Sequence, residues 1–289
     1  MDEMTPEQIE AETLARLDNL EAPDWGELVG VRSLALDPKI VGALARNAGI
    51  YREAMRLVAA QGFTVRYWDG WEGRSASYSL ARIVVPAAVI NHHTAGNGTS
   101  TSYIRNGDPL RGLSGPLANL HVLRDGTVWV LGVGYQNHAG SNDKACYDRI
   151  AAGTAPLDRD LIPGPDGTFS ANRTAVAIEA NGDGGSDDWT PEQTAVIIAI
   201  NAAFAKVLGW AMPHTGAHKE LTRRKPGDPV MSMGTLRSLV AKAMTPADVP
   251  VTPPPPPVPA SVDFRLGLWN AHSYGAARTT RAGVTGFGR

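Results

Sequence analysis

The sequence predicts an α/β or α+β layered fold, and three observations carry that prediction. Apolar residues recur at helical spacing over about 38–61 and again over 190–208, short β-branched runs lie between these stretches, and an Asp-Gly turn joins two of the runs. With 289 residues, 43% of them hydrophobic and 19% charged, the chain can bury a sizeable core.

In chain order, Thr5-Pro6-Glu7-Gln8 reads as a helix-opening capping box, followed by Ile9, Leu14, Leu17 and Leu20. Pro38 to Gln61 carries Ile40, Val41, Leu44, Ile50, Met55, Leu57 and Val58, and Gly62 stops that helix before a strand-like Phe63 to Trp68. Ile83 to Ile90 reads as a buried strand in which Pro86 marks an irregularity or an edge, and it leads into Asn91-His92-His93-Thr94. His121 to Leu131 is a hairpin around Asp125-Gly126, and Ala175 to Ala180 is a further strand closed by a Gly-rich turn. Thr190-Pro191-Glu192-Gln193 repeats the capping signature ahead of Val196, Ile197, Ile200, Phe204, Val207 and Leu208.

These elements divide the chain into an N-terminal helical region (1–62), a layered domain (63–244), a Pro-rich extended linker (245–262) and a short tail (263–289). The tail carries Arg265, Arg278, Arg281 and Arg289 among aromatic residues and is too short for a core of its own. It reads as a disordered tail or the remnant of a larger domain, with an anchoring segment as the alternative.

A net charge of -2 gives no global attraction to nucleic acid. The lone Cys146, in a polar stretch, excludes an internal disulfide and reads as an incidental loop thiol. No apolar run is long enough to span a bilayer, and the acidic start of the chain shows no secretory signal, so folding in a cytoplasm is expected.

The chemistry is carried by histidines in three groups: His92-His93, His121 with His138, and His214 with His218. A hydrolytic zinc site needs three protein ligands and an open position. His218-Lys219-Glu220-Leu221-Thr222-Arg223-Arg224-Lys225-Pro226-Gly227-Asp228-Pro229 gathers a His, cations and an Asp in a Pro/Gly loop where core packing gives no reason for them. Together with Asn91-His92-His93-Thr94-Ala95-Gly96, this segment resembles the N-acetylmuramoyl-L-alanine amidases related to peptidoglycan recognition proteins, and among these the phage endolysins. Arg124-Asp125-Gly126-Thr127-Val128, Asn137-His138-Ala139-Gly140 and Ile178-Glu179 are similar to that family's intervening motifs in the same order, over about residues 68 to 240.

The resemblance implies a central mixed sheet flanked by helices and one zinc per chain on His92, His218 and Asp228. It also implies Glu179 and Lys225 as catalytic groups and peptidoglycan as substrate, cut between N-acetylmuramic acid and L-alanine. His93, on the opposite strand face from His92, is expected to be structural, and Pro213 and Gly216 argue against His214 as a ligand. Thr94, Asn119, His121 and His138 are candidates for substrate contact or for support of the ligands; Asn119 and His121 share a strand face. The family usually has one residue between its Lys and Asp, whereas Pro226 and Gly227 both intervene here, which leaves Arg224 as an alternative to Lys225. A phage lysis enzyme held in the host cytoplasm until lysis is the expected role; a non-catalytic peptidoglycan-binding module and a muropeptide-recycling amidase are the alternatives.

Overall fold

The computed structural model describes residues 36–245 except 109, 111, 186 and 187. The helix expected at Thr5, the Pro-rich linker and the tail lie outside the described residues. Helix α1 (Pro38–Ala59) opens on Asp37, whose carboxylate accepts the Lys39 amide, and Pro38 fills a first-turn position where its missing N–H costs nothing. Gly62, at a φ of 91°, takes the left-handed conformation needed to turn the chain into strand β1 (Val65–Tyr67).

The remaining elements, in order, are β2 (Ala88–His93), α2 (Thr101–Asn106), β3 (Gly107–Asp108), β4 (Leu113–Ser114), β5 (Leu120–Val122) and β6 (Val128–Val130). They are followed by α3 (Lys144–Ala151), β7 (Ala175–Ala180), α4 (Pro191–Val207), β8 (Thr215–Ala217) and α5 (Met233–Met244). Among the described residues β3 pairs with β4, and the other six strands form one mixed sheet in the order β1-β6-β5-β7-β2-β8. Every pairing in it is parallel except the β5–β6 hairpin, whose turn carries Gly126 at a φ of 78°.

Two sequence readings need correction. The strand expected at Ile83 to Ile90 begins only at Ala88, with a 3₁₀ turn at Leu80–Arg82 before it, because Pro86 cannot donate to the ladder. The strand runs on through His92 and His93. Cys146 is a buried residue of α3, not a loop thiol; its Sγ donates to the Ile162 carbonyl, and burial pushes its pKa up to about 11.

One face of the sheet packs on α1, α4 and α5, joining Val89, Leu120, Val122, Val130, Val176 and Ile178 to Ile50, Met55, Val196, Ile200, Phe204 and Leu236. Helix α1, though N-terminal to β1, therefore shares the main core. The capping box at the head of α4 forms as read: Thr190 and Gln193 exchange side-chain to backbone bonds of 3.1 and 2.9 Å. The opposite face carries two smaller apolar clusters. One packs α3 on Ala88, Ile90 and Ala175, and the other packs Ile104 of α2 on Ala177 and Leu131. Near the C-terminal ends of β2 and β7, polar side chains succeed these alanines and Ile90 on the same face.

Candidate metal centre and active site

Alternation along a strand determines which side chains can meet. On β2, Ala88, Ile90 and His92 share the second face, while Val89, Asn91 and His93 point to the other side. On β7, Ala177 packs with α2 while Val176, Ile178 and Ala180 enter the main core, so Glu179 emerges on the same face as His92. The parallel ladder pairs His92 with Glu179 and Glu179 with His121, and the hairpin continues this row to Trp129 and then to Arg66 of β1. Five side chains thus form one line across the sheet at intervals of about 4.8 Å.

The other two expected ligands come from beyond edge strand β8. His218 opens a 3₁₀ turn, His218–Glu220, directly after β8, and Asp228 closes a turn in which its amide donates to the Lys225 carbonyl. That turn accommodates the additional Pro226-Gly227 step and returns Asp228 to the centre. Nδ1 of His92 lies 3.2 Å from Nδ1 of His218 and 3.8 Å from Oδ2 of Asp228, and His218 Nδ1 is 3.0 Å from the same oxygen. Ligands about 2.0–2.1 Å from a tetrahedral zinc stand about 3.3–3.4 Å from one another, so the three buried donors have the spacing of a coordination shell.

The outer atoms of these three side chains are fixed as well. His218 Nε2 is 3.1 Å from the Ala139 carbonyl, an acceptor only, so it carries the proton and leaves the Nδ1 lone pair facing the centre. His92 Nε2 lies 2.8 Å from Nδ1 of His138, and Asp228 Oδ1 accepts the His93 amide at 2.9 Å. Burial pushes the His92 pKa down, as it does that of His138, which the neighbouring histidines lower further; both rings are held neutral, as ligation requires. Burial acts to raise the Asp228 pKa, but the neighbouring His218 and His92 rings outweigh it and hold the carboxyl well below the usual carboxylate range. The residues present fit a bound divalent cation.

Glu179 is half-buried and its Oε2 is enclosed without a hydrogen-bond partner. Burial first, then the charge of Asp228, raises its pKa well above the usual carboxylate value, opposed by the charge of Lys225. Lys225 is exposed and its field reaches both Glu179 and His93. Arg224 is engaged elsewhere: its guanidinium bonds Asp166 at 2.6 Å, Thr222 and the Ser141 carbonyl.

The other expected positions make hydrogen bonds within the fold. Asn119 donates to the Gly132 and Gly134 carbonyls and accepts the Ala177 amide, which commits its amide group to joining strands. His121 is fully buried, with Nε2 donating to Asn181 Oδ1 at 2.8 Å and Nδ1 accepting from Thr101 at 3.0 Å, so both ring nitrogens have partners within the fold. Thr94 Oγ1 bonds the Gly96 carbonyl across the turn after β2, where Ala95 has a φ of 55°. His93 pairs with Asp188 at 2.9 Å, and His214 stacks on Trp210 and bonds the Ala87 carbonyl.

Three supporting residues have no signal in the sequence. Asp188 ties His93, Gly184 and Val230 together, Asn172 accepts the amides of His138 and Ala139, and Arg237 holds Glu220 in a fully buried ion pair. Each stands in its segment like an ordinary polar residue, and only the fold reveals its partners.

No curated protein matches the sequence. Among solved structures, the chain is similar to an endolysin N-acetylmuramoyl-L-alanine amidase from Clostridium intestinale (18% identity, 56% of this chain and 85% of that one, TM-score 0.39). It is also similar to the Ph2119 endolysin from a Thermus scotoductus bacteriophage (19% identity, 61% and 99%, TM-score 0.41). The family model described as N-acetylmuramoyl-L-alanine amidase matches residues 84–229, a span that runs from the coil before β2 past Asp228, and the chain therefore belongs to that family.

Proposed function

We propose that the protein is a zinc enzyme that hydrolyses the amide joining N-acetylmuramic acid to L-alanine in peptidoglycan. The observation that carries this reading is the juxtaposition of three buried donors at ligand spacing with Glu179, which sits beside His92 in the strand register. Zinc held by His92, His218 and Asp228 would supply Lewis acidity, lowering the pKa of water to about 7 and polarising the carbonyl.

The chain's own groups supply the proton chemistry. Glu179 takes the proton of the attacking water and passes it to the departing nitrogen, and its raised proton affinity suits both halves of that transfer. Lys225 is suited to stabilising negative charge developing on the carbonyl oxygen, since it is the cation whose field reaches Glu179 while Arg224 is bound to Asp166. His138 and the Ala139 carbonyl hold the two ligand rings in place.

We further propose a lytic role, as a phage endolysin that attacks the host wall; the resemblance of the sequence motifs supports it. Mass spectrometry of digested sacculi should find stem peptides with a free L-alanine amino group and no new reducing sugar ends. New reducing ends would replace the amidase reading with glycosidase chemistry, binding without cleavage would leave a wall-binding module, and cleavage confined to soluble muropeptides would favour recycling.

A further inference from the structure

The groups that orient both candidate ligand rings belong to one short segment. His138, whose Nδ1 lies 2.8 Å from His92 Nε2, is followed directly by Ala139, whose carbonyl lies 3.1 Å from His218 Nε2. Residues 137–141 form neither helix nor strand, so no ladder fixes the dihedral angles that aim these two groups. Two asparagine side chains take over that task.

Asn172 sits in the 3₁₀ turn Ala171–Arg173 just ahead of β7, and its Oδ1 accepts the amides of His138 at 3.1 Å and of Ala139 at 2.7 Å. Its Nδ2 donates to the Tyr135 hydroxyl at 3.2 Å, and a flipped amide would set NH₂ against two N–H donors. Asn142, two residues before α3, donates from Nδ2 to the Ala139 carbonyl at 3.0 Å and to the Ser141 carbonyl at 3.1 Å. Its Oδ1 accepts the Ala171 amide at 2.9 Å, and its own amide donates to the Phe169 carbonyl at 2.8 Å. Both asparagines are buried.

The amide and the carbonyl of Ala139 belong to the peptide planes on either side of its Cα. Asn172 pins the first plane and Asn142 the second, which leaves little freedom in the two dihedral angles between them. The carbonyl has two lone pairs, so it takes Asn142 Nδ2 and still receives the proton of His218 Nε2. A carbonyl can only accept, and one held in this place keeps the His218 proton on Nε2 and the Nδ1 lone pair free for the centre. The same oxygen of Asn172 holds the backbone of His138, and with it the root of the imidazole beside His92.

We propose that Asn172 and Asn142 are positioning residues for the metal centre, a clamp on His138 and Ala139 that sets both histidine ligands at once. The proposal rests on the zinc reading above and adds to it that His92 and His218 share one anchor, Oδ1 of Asn172.

The required atoms differ between the two positions, and the same substitution separates them. Asn172→Asp keeps an acceptor for the two amides and should hold zinc at least as tightly as the wild-type chain. Asn142→Asp loses the donor and sets a carboxylate against the Ala139 and Ser141 carbonyls. In competition against a chelator it should weaken zinc binding about 10- to 100-fold, as should Asn172→Ala. In metal-free protein with isotope-labelled histidine, above the titration range of imidazole, nuclear magnetic resonance should show wild-type His218 as the Nε2–H tautomer alone. Asn142→Asp and Asn172→Ala should add the Nδ1–H form, and His218→Gln assigns the resonance. Asparagines that merely fasten loops would lower the melting temperature and leave the tautomer as it is. An unchanged tautomer with unchanged zinc affinity in both variants overturns the clamp, as does equal weakening by Asp at the two positions. If Asn142→Asp does not fold, Asn142→Ala also lacks the donor and takes its place. A wild-type chain that takes up no zinc overturns the zinc reading instead, and the tautomer, read without metal, then decides the clamp by itself.

Discussion

Nε2 of His92 lies 2.8 Å from Nδ1 of His138, so the ring of a candidate ligand is held by a second buried imidazole. If His138 accepts the His92 proton, it keeps the Nδ1 lone pair of His92 directed at Asp228 and His218. His138→Ala should therefore weaken metal affinity about 10- to 100-fold, the usual cost of losing such a support. Competition against a chelator measures it, and an unchanged dissociation constant would show that His92 is oriented by packing alone.

Oε2 of Glu179 is enclosed without a hydrogen-bond partner, and among the described residues no cation stands within ion-pair distance of the carboxyl group. Glu179→Gln should leave zinc content and peptidoglycan binding intact while turnover drops about 10²- to 10⁴-fold. Near-normal turnover with a full metal site would exclude it from proton transfer.

Lys225 and Arg224, adjacent in sequence, should respond differently. Lys225→Ala should lower kcat by about 10²-fold with little change in melting temperature. Arg224→Ala removes the contacts to Asp166 and Ser141, so it should loosen the loops at 141 and 166 and lower the melting temperature. The reverse pattern would exchange their roles.

Burial, partly offset by the bond to Asn181, lowers the His121 pKa to about 4, against about 6.5 in an unfolded chain. Between these values the unfolded chain binds the extra proton, so this contribution is fully present above pH 6.5 and is lost as pH falls toward 4. Its upper limit is about 3 kcal/mol. Denaturant unfolding of wild type and His121→Asn across pH 4–7 should show a shallower acid decline in the variant, and parallel curves would place the acid sensitivity elsewhere.

How much was legible in advance followed the physics of each feature. The capping box at Thr190 and the Asp-Gly hairpin are local signals, and both appear as read. The start of β2 was misjudged because β-branched Ile83 to Val85 look like strand whether or not a neighbouring strand is there to pair with them. For His121, chemistry alone made it an attractive reactive group. Only the tertiary positions of Thr101 and Asn181 show that both of its nitrogens are occupied.

The ligands differ in how firmly the fold holds them, and this bears on how the enzyme would fail with heat. His92 sits in a strand paired on both sides, whereas His218 and Asp228 sit on an excursion beyond the edge strand. That excursion is fastened by the Arg237–Glu220 pair, the Lys219–Asp160 bridge and the contact of Asp188 with Val230. Such a segment can open while the sheet stays closed, because local opening exposes far less surface than global unfolding. Inactivation on warming would then precede melting, a chelator would hasten it by trapping the opened form, and shelf life would depend on those three fastenings more than on the core.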